Sequence, residues 1–200
     1  QMNTHAIGDS TINILIDTYS KVLENKTDPR WRIEHSQVID LNDIDGYNNK
    51  ILPSVQPTHA TSDMYWAKDR VGSKRIKGAY AWKTLLEKNT IIANGSDFPV
   101  ESANPFFGLH AAITRQDHNN QPEGGWYANE AMTFTQALKS FTYDAAYAGH
   151  QEKLVGSLEV GKKADFIMIG YDIKNAPQEN IWQTKVLQTW VDGKRLNKTE

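Results

Sequence analysis

The sequence predicts an α/β fold: a parallel sheet with an antiparallel β element appended at its C-terminal end. Three observations carry this. Over residues 1–115 short apolar runs alternate with stretches of helical periodicity, the pattern of βα units around a parallel sheet. The apolar runs are followed in turn by His5, His35, His59 and Asp97. After Gly156 the helical rhythm stops, and Asp192-Gly193 between two apolar runs is a hairpin signal.

Taken in order, a first strand ends near His5, within the stretch Asn3-Thr-His-Ala-Ile-Gly-Asp9. Ile12, Leu15, Ile16, Tyr19, Val22 and Leu23 follow the i, i+3, i+4, i+7 spacing of a helix with one buried face, and Asp9 or Ser10 is available as its N-cap. Residues 31–35 read as the second strand and residues 40–49 as a weaker helix opened by Asp40 or Asn42. Residues 51–55 form the third strand, ended by Gln56-Pro57, followed by helical stretches at about 61–69 and 75–88 with Asn89 as a left-handed C-cap. A fourth strand at 91–94 turns through Gly95-Ser96-Asp97. Helices at 106–115 and 133–150 flank an Asn-, Gln- and Gly-rich loop at 117–130; Thr133 begins a capping pattern, and the run Ala145-Ala146-Tyr147-Ala148 permits close packing. Residues 156–170 read as a turn and then a buried strand, and residues 185–196 as the two strands of the hairpin.

At 200 residues the chain is long enough for one domain with a sizeable core, or for one large piece plus a small one. A hydrophobic content of 39%, 23% charged residues and a net charge of −2 give no basic face for nucleic acid, so no nucleic-acid partner is expected. No membrane partner is expected either: the longest apolar stretch, 11–23, is broken by Asn13, Asp17 and Ser20, well short of the roughly 20 residues that span a bilayer. The absence of cysteine excludes disulfides, thiolate metal ligands and a cysteine nucleophile. No signal peptide is legible and Gln1 is not a natural start, so cytoplasm and periplasm both stay open.

The ends of parallel strands are where an α/β barrel or an open α/β sheet carries its chemistry. Imidazole nitrogen and carboxylate oxygen are the ligands of hydrolytic zinc sites. Taken singly each residue is weak evidence. A lone strand-end histidine is more often structural, a turn Asp such as Asp97 more often caps, and His59 faces substrate or caps the following helix. Glu34 points to the opposite face of its strand from His35 and reads as structural, and His110, His118 and His150 read as surface residues. The six tryptophans read as packing residues. The coincidence of four such groups after four successive strands lifts the set. Because the series begins at His5, part of the site is expected upstream of this chain.

His5-Ala-Ile-Gly-Asp9, Arg32-Ile-Glu-His35, Val55-Gln-Pro57, Gly95-Ser-Asp-Phe-Pro-Val-Glu101 and Gly156-Ser-Leu-Glu-Val-Gly-Lys-Lys-Ala-Asp165 together resemble the metal-dependent amidohydrolase superfamily. The nearest branch is amidohydrolase family 3, which includes N-substituted formamide deformylase and proteins labelled exoenzyme-regulatory. The resemblance runs collinearly over nearly the whole chain. It implies a TIM barrel with an HxH pair after strand 1, often a carboxylated Lys after strand 4, His after strands 5 and 6, and Asp after strand 8. His5 then matches the strand 5 ligand, His35 the strand 6 ligand and Asp97 the strand 8 acid, which would also be the catalytic proton carrier. Residues 1–155 are accordingly read as the C-terminal half of the barrel, about strands 5–8, and 156–200 as the last part of a small β-sandwich.

The resemblance further implies a divalent metal, zinc by expectation, with one or two ions in the intact protein. It also implies a small amide-type substrate, with His59 and Arg115 as candidates for substrate contact or loop support. An open half-barrel would need covering, by a homodimer or another device. No HxH occurs in the sequence and no strand with the bridging Lys is present, so the chain alone is expected to bind zinc weakly and to hydrolyse nothing. A non-catalytic regulatory or binding protein on the same scaffold is the alternative, and a deaminase or lactonase a third reading.

Overall fold

The computed structural model of the chain describes residues 1–88 and 91–196, so the cap expected at Asn89 lies outside the described residues. Four strands, β1 (Asn3–Ala6), β2 (Trp31–His35), β3 (Ile51–Val55) and β4 (Ala93–Asn94), form one parallel sheet in chain order. His5 lies opposite Glu34 and Ala6 opposite His35 in the β1–β2 register. Helix α1 (Asp9–Leu23) crosses from β1 to β2. The connection from β3 to β4 carries α2 (Pro57–Asp63), α3 (Ala67–Arg75) and α4 (Trp82–Glu87). Helices α5 (Pro105–Thr114), α6 (Phe134–Phe141) and α7 (Tyr143–Ala148) follow the sheet. The chain then enters a separate antiparallel sheet of β5 (Phe166–Ile169), β6 (Val186–Val191) and β7 (Lys194–Arg195), with Asp192-Gly193 at the hairpin turn.

Ile12, Tyr19 and Leu23 bury the inner face of α1, while Val22, expected on that face, is half exposed at the stripe's edge. The expected cap is also corrected. Gly8, extended at φ −90° and ψ 149°, occupies the N-cap position without a side-chain bond, and Asp9 instead accepts from its neighbour's Ser10 N–H. Residues 40–49 do not form a helix; they hold a single 3-10 turn, Ile44–Gly46. The Asp40 carboxylate accepts from the Asn42 N–H at 3.0 Å and the Asn48 side chain from the Lys50 N–H at 2.8 Å, local bonds that compete with a helical ladder. Gly46 is required there, because a Cβ would come within 2.2 Å of Ile16 Cγ2.

Pro57 starts α2 four residues earlier than expected, its fixed φ suiting the first helical position. The single helix expected over 75–88 is a 3-10 turn, Ile76–Gly78, and then α4, because Tyr80 between them is left-handed at φ 53°. The helix expected over 133–150 breaks at Thr142, φ −123° and ψ −91°, into α6 and α7. Thr133 makes the capping box its sequence promised, accepting from Gln136 N–H while the Gln136 side chain accepts from Thr133 N–H. β5, expected to be buried, exposes Ile167 and Met168.

One core runs from α1 through the sheet to α5, joining Ile33, Val55, Trp82, Leu85, Ile92 and Leu109. Ile181, from the 3-10 segment Gln178–Gln183 before β6, belongs to that same core. A second small cluster packs Leu52 of β3 and Ala93 of β4 against Ala148 of α7. Arg30, at the entry to β2, anchors α7 there. Its guanidinium donates to Tyr147 O at 2.6 Å, pairs with Glu152 at 2.9 Å and Asp28 at 2.6 Å, and lies 3.6 Å over the Tyr147 ring.

Candidate metal and proton-transfer site

His5 and His35 come together because adjacent parallel strands end side by side. Their rings meet edge to face with centroids 4.5 Å apart. His35 does not leave β2 in extended conformation; it sits at φ 72° and Ser36 at φ 44°, two successive left-handed residues without a glycine. Such residues are uncommon and carry strain that surrounding bonds must hold. Here Ser36 Oγ donates to Ile33 O at 2.9 Å, and the buried Tyr47 hydroxyl donates to Ser36 Oγ at 2.8 Å. Burial pushes the Tyr47 phenol well above its ordinary range, which keeps it a donor. The His35 Nδ1 faces Gln56 Oε1 at 2.8 Å.

His59 stacks on His35 with centroids 5.8 Å apart and planes 21° from parallel. It does not cap the helix, since Gln56 holds the N-cap position and His59 lies within the first turn of α2. Its Nε2 is buried without a hydrogen-bond partner. Burial holds the His59 imidazole below its usual range; Glu101, Asp63 and Asp97 pull it upward, and His35 lowers it further. Ser62, on the same helix, donates to Glu101 at 2.7 Å and brings the loop after β4 against α2. At the other end of α2, the Asp63 carboxylate accepts from Gln37 Nε2 at 2.9 Å and from the Tyr80 hydroxyl at 2.5 Å.

Asp97 lies three residues beyond β4, exposed and left-handed at φ 56°, and is one of the carboxylates acting on His59. Among the described residues no group of three or more His, Asp or Glu side chains is placed to hold a metal ion. The chain brings His5 against His35 and His35 against His59 as ring pairs, but neither these three histidines nor Asp97 close a ligand group among the described residues. Two donors fit a divalent metal on the imidazole side, the paired His5 and His35, and His35 has Nδ1 committed to Gln56, which leaves Nε2 as its available nitrogen.

Arg115 presents no surface to a substrate, being fully buried, and its contacts are those of the alternative role, loop support. Its guanidinium lies 4.3 Å over Trp82 and 5.4 Å from Trp126, and donates to Trp126 O at 3.0 Å and Tyr80 O at 3.1 Å. Burial pushes its pKa down to about 10, against Glu130 and Tyr80, so it remains a cation at neutral pH. Gly125 closes over it at φ 88°, where a Cβ would meet Thr114 O at 2.4 Å. His110 is fully buried rather than on the surface, because α5 is packed on most of its circumference; His118 lies between Phe107 and Trp182, stacked on the indole at 4.6 Å. His150 is exposed as expected. Sequence reasoning missed the contributions of Gln56, Asp63 and Tyr80; for Gln56 the legible signals were its place directly after a strand of the series and within the motif Val55-Gln-Pro57.

Residues 1–196 match a protein family described as the amidohydrolase family. The chain is 33% identical to the protein LONG AFTER FAR-RED 3 of Arabidopsis thaliana, covering 98% of this chain and 34% of that protein. It is 29% identical to amidohydrolase YtcJ of Bacillus subtilis (strain 168), over 96% of this chain and 36% of that one. Among solved structures, a metal-dependent hydrolase from Pyrococcus horikoshii OT3 superposes with a TM-score of 0.75 at 28% identity, covering 88% of this chain and 35% of that one. The chain thus spans about a third of the length of the proteins it matches.

Proposed function

This chain belongs to the amidohydrolase family, and from that premise we propose that it is the C-terminal half of a metal-dependent hydrolase acting on non-peptide C–N bonds. In this reading residues 1–155 supply strands 5 to 8 of a (β/α)8 barrel, and residues 156–200 part of the small β-sandwich. The observation that carries the reading is the paired His5 and His35 rings, 4.5 Å apart at neighbouring strand ends.

His5 and His35 would hold a divalent metal, zinc in this proposal, with neutral imidazoles. When bound, the metal supplies a water acidic enough to ionise near pH 7 and a Lewis acid for the scissile carbonyl. Asp97, exposed in its turn, would serve as the proton carrier between water and the leaving amine nitrogen. His59, stacked on His35 with Nε2 buried and unpartnered, would support the rim of the site, and would contact substrate only with that nitrogen uncovered. Arg115 acts at a distance, by fixing the loop 117–130 through Trp126.

The test compares this chain with a longer protein that also carries the upstream HxH and Lys segments. Both are assayed against N-formyl and N-acyl amines, with zinc and with a chelator. Turnover is expected only from the longer protein and is lost on chelation. Zinc-dependent turnover by the 200-residue chain alone would overturn the half-site reading. A longer protein with every ligand in place, yet inert on C–N substrates, would favour the regulatory alternative.

A further inference from the structure

We infer that Gln56 is a positioning residue that fixes the tautomer of His35, holding the proton on Nδ1 and leaving the lone pair of Nε2 for the site. The use of that lone pair rests on the proposed ligand role of His35; the tautomer itself rests on hydrogen bonding alone.

The chemistry is restrictive. An amide oxygen accepts and never donates, so the 2.8 Å contact between Gln56 Oε1 and His35 Nδ1 requires the proton on Nδ1. A neutral imidazole carries one N–H, so Nε2 is then the acceptor and the nitrogen able to bind a metal. A free strand-end histidine has no such constraint and is divided between two forms.

Gln56 is held so that it can impose this choice. It is buried, and it precedes Pro57, which confines it to extended backbone; it is found at φ −125° and ψ 99°. Its carbonyl accepts from His59 N–H at 3.0 Å, locking it to the first turn of α2. The far end of that helix is tied to the same strand-end segment, since Asp63 accepts from Gln37, two residues beyond His35. Helix α2 therefore cannot slide along residues 35–37 without breaking bonds at both ends. On the other side Ser36 and Tyr47 hold the left-handed turn that aims the His35 ring. Gln56 thus fixes the proton, while the turn fixes the direction.

The experiment is 15N NMR of the imidazoles in the metal-free 200-residue chain, labelled at histidine, in alkaline buffer where imidazoles are neutral. His35 is assigned by the signal lost in His35→Asn. The native chain is expected to show protonated Nδ1 and unprotonated Nε2 at His35. Gln56→Met keeps the side-chain volume without the acceptor and shifts His35 to protonated Nε2; Gln56→Glu keeps an acceptor and restores the native form. Zinc titration is expected to show about a 10–100-fold weaker affinity for Gln56→Met than for the native chain. If Gln56→Met fails to fold, Gln56→Asn, which withdraws the carbonyl by one methylene, makes the same comparison. Protonated Nε2 in the native chain, or an unchanged tautomer in the folded variant, overturns the inference. A changed tautomer with unchanged zinc affinity upholds it and overturns the ligand role of His35.

Discussion

The two sheets of this chain both carry apolar strands and cover them differently. In β3, Ile51, Leu52 and Val55 are 1%, 0% and 1% exposed; in the C-terminal sheet, Ile167 and Met168 are 46% exposed, Leu187 50% and Val191 43%. Beside them an apolar groove runs between α6 and the sheet, lined by Leu138, Phe141, Phe166, Ile167 and Trp190. Apolar spacing in a sequence states that a surface is fit to be covered; it does not say by what. The parallel sheet finds its cover in the chain's own helices, whereas α5, α6 and α7 border the other sheet and still leave Ile167, Met168, Leu187 and Val191 about half exposed.

The widest gap is expected between paired truncations. Ile33→Ala should destabilise the chain by about 2–5 kcal/mol in urea unfolding, the range for buried aliphatic truncation. Ile167→Ala should stay within about 0.5 kcal/mol, as for substitutions outside packed cores. Equal losses would show that the C-terminal sheet is as integral to the cooperative unit as the parallel one.

A smaller effect is expected at the anchor of α7. Hydrogen bonds from Arg30 hold both the Asp28 and the Glu152 carboxyls below their ordinary range. A depressed folded pKa contributes stability that is present above the unfolded value, about 4, and is lost as pH falls through the folded value. Glu152→Gln should therefore flatten the acid limb of the unfolding midpoint against pH. Glu159, fully exposed in the C-terminal segment, is also held below its ordinary range by hydrogen bonds from Ser157 and Lys162, and solvent screening of that pair should make Glu159→Gln flatten the limb less than Glu152→Gln. Equal flattening in both would erase the contrast.

The smallest effect sets the floor for these comparisons. Asp17 and Lys21 form an exposed i, i+4 pair at 2.6 Å on α1, and Asp17→Asn should cost under about 0.5 kcal/mol. A loss as large as at Ile33 would mean that this face of α1 is not solvent-screened.

What the sequence made legible follows from what periodicity encodes. The four strands, their alternation with helices, the Thr133–Gln136 capping box and the Asp192-Gly193 hairpin are all local patterns, and all are present. The helix expected at 40–49 was lost to Asx bonds at Asp40 and Asn48, which a hydrophobic count does not weigh. His110 was misplaced because burial of α5 on nearly every side is a property of its neighbours. At the site, the histidines were legible because their order along the chain is the order of the strands. The bonds that hold them were not. Gln56 and Asp63 act through side chains across a helix, and the left-handed His35 and Ser36 lack the glycine that usually announces such a turn.

Those left-handed positions govern which control experiments are clean. Asp, Asn and His are the non-glycine residues that most readily accept this backbone region. The residues proposed to carry the chemistry at His35 and Asp97 are thus also suited to their own main chain. An alanine scan would alter both properties at once, and a lost activity could not be divided between them. Asparagine at either position removes the imidazole or the carboxylate while keeping the backbone preference, so H35N and D97N are the substitutions whose results can be interpreted as chemistry.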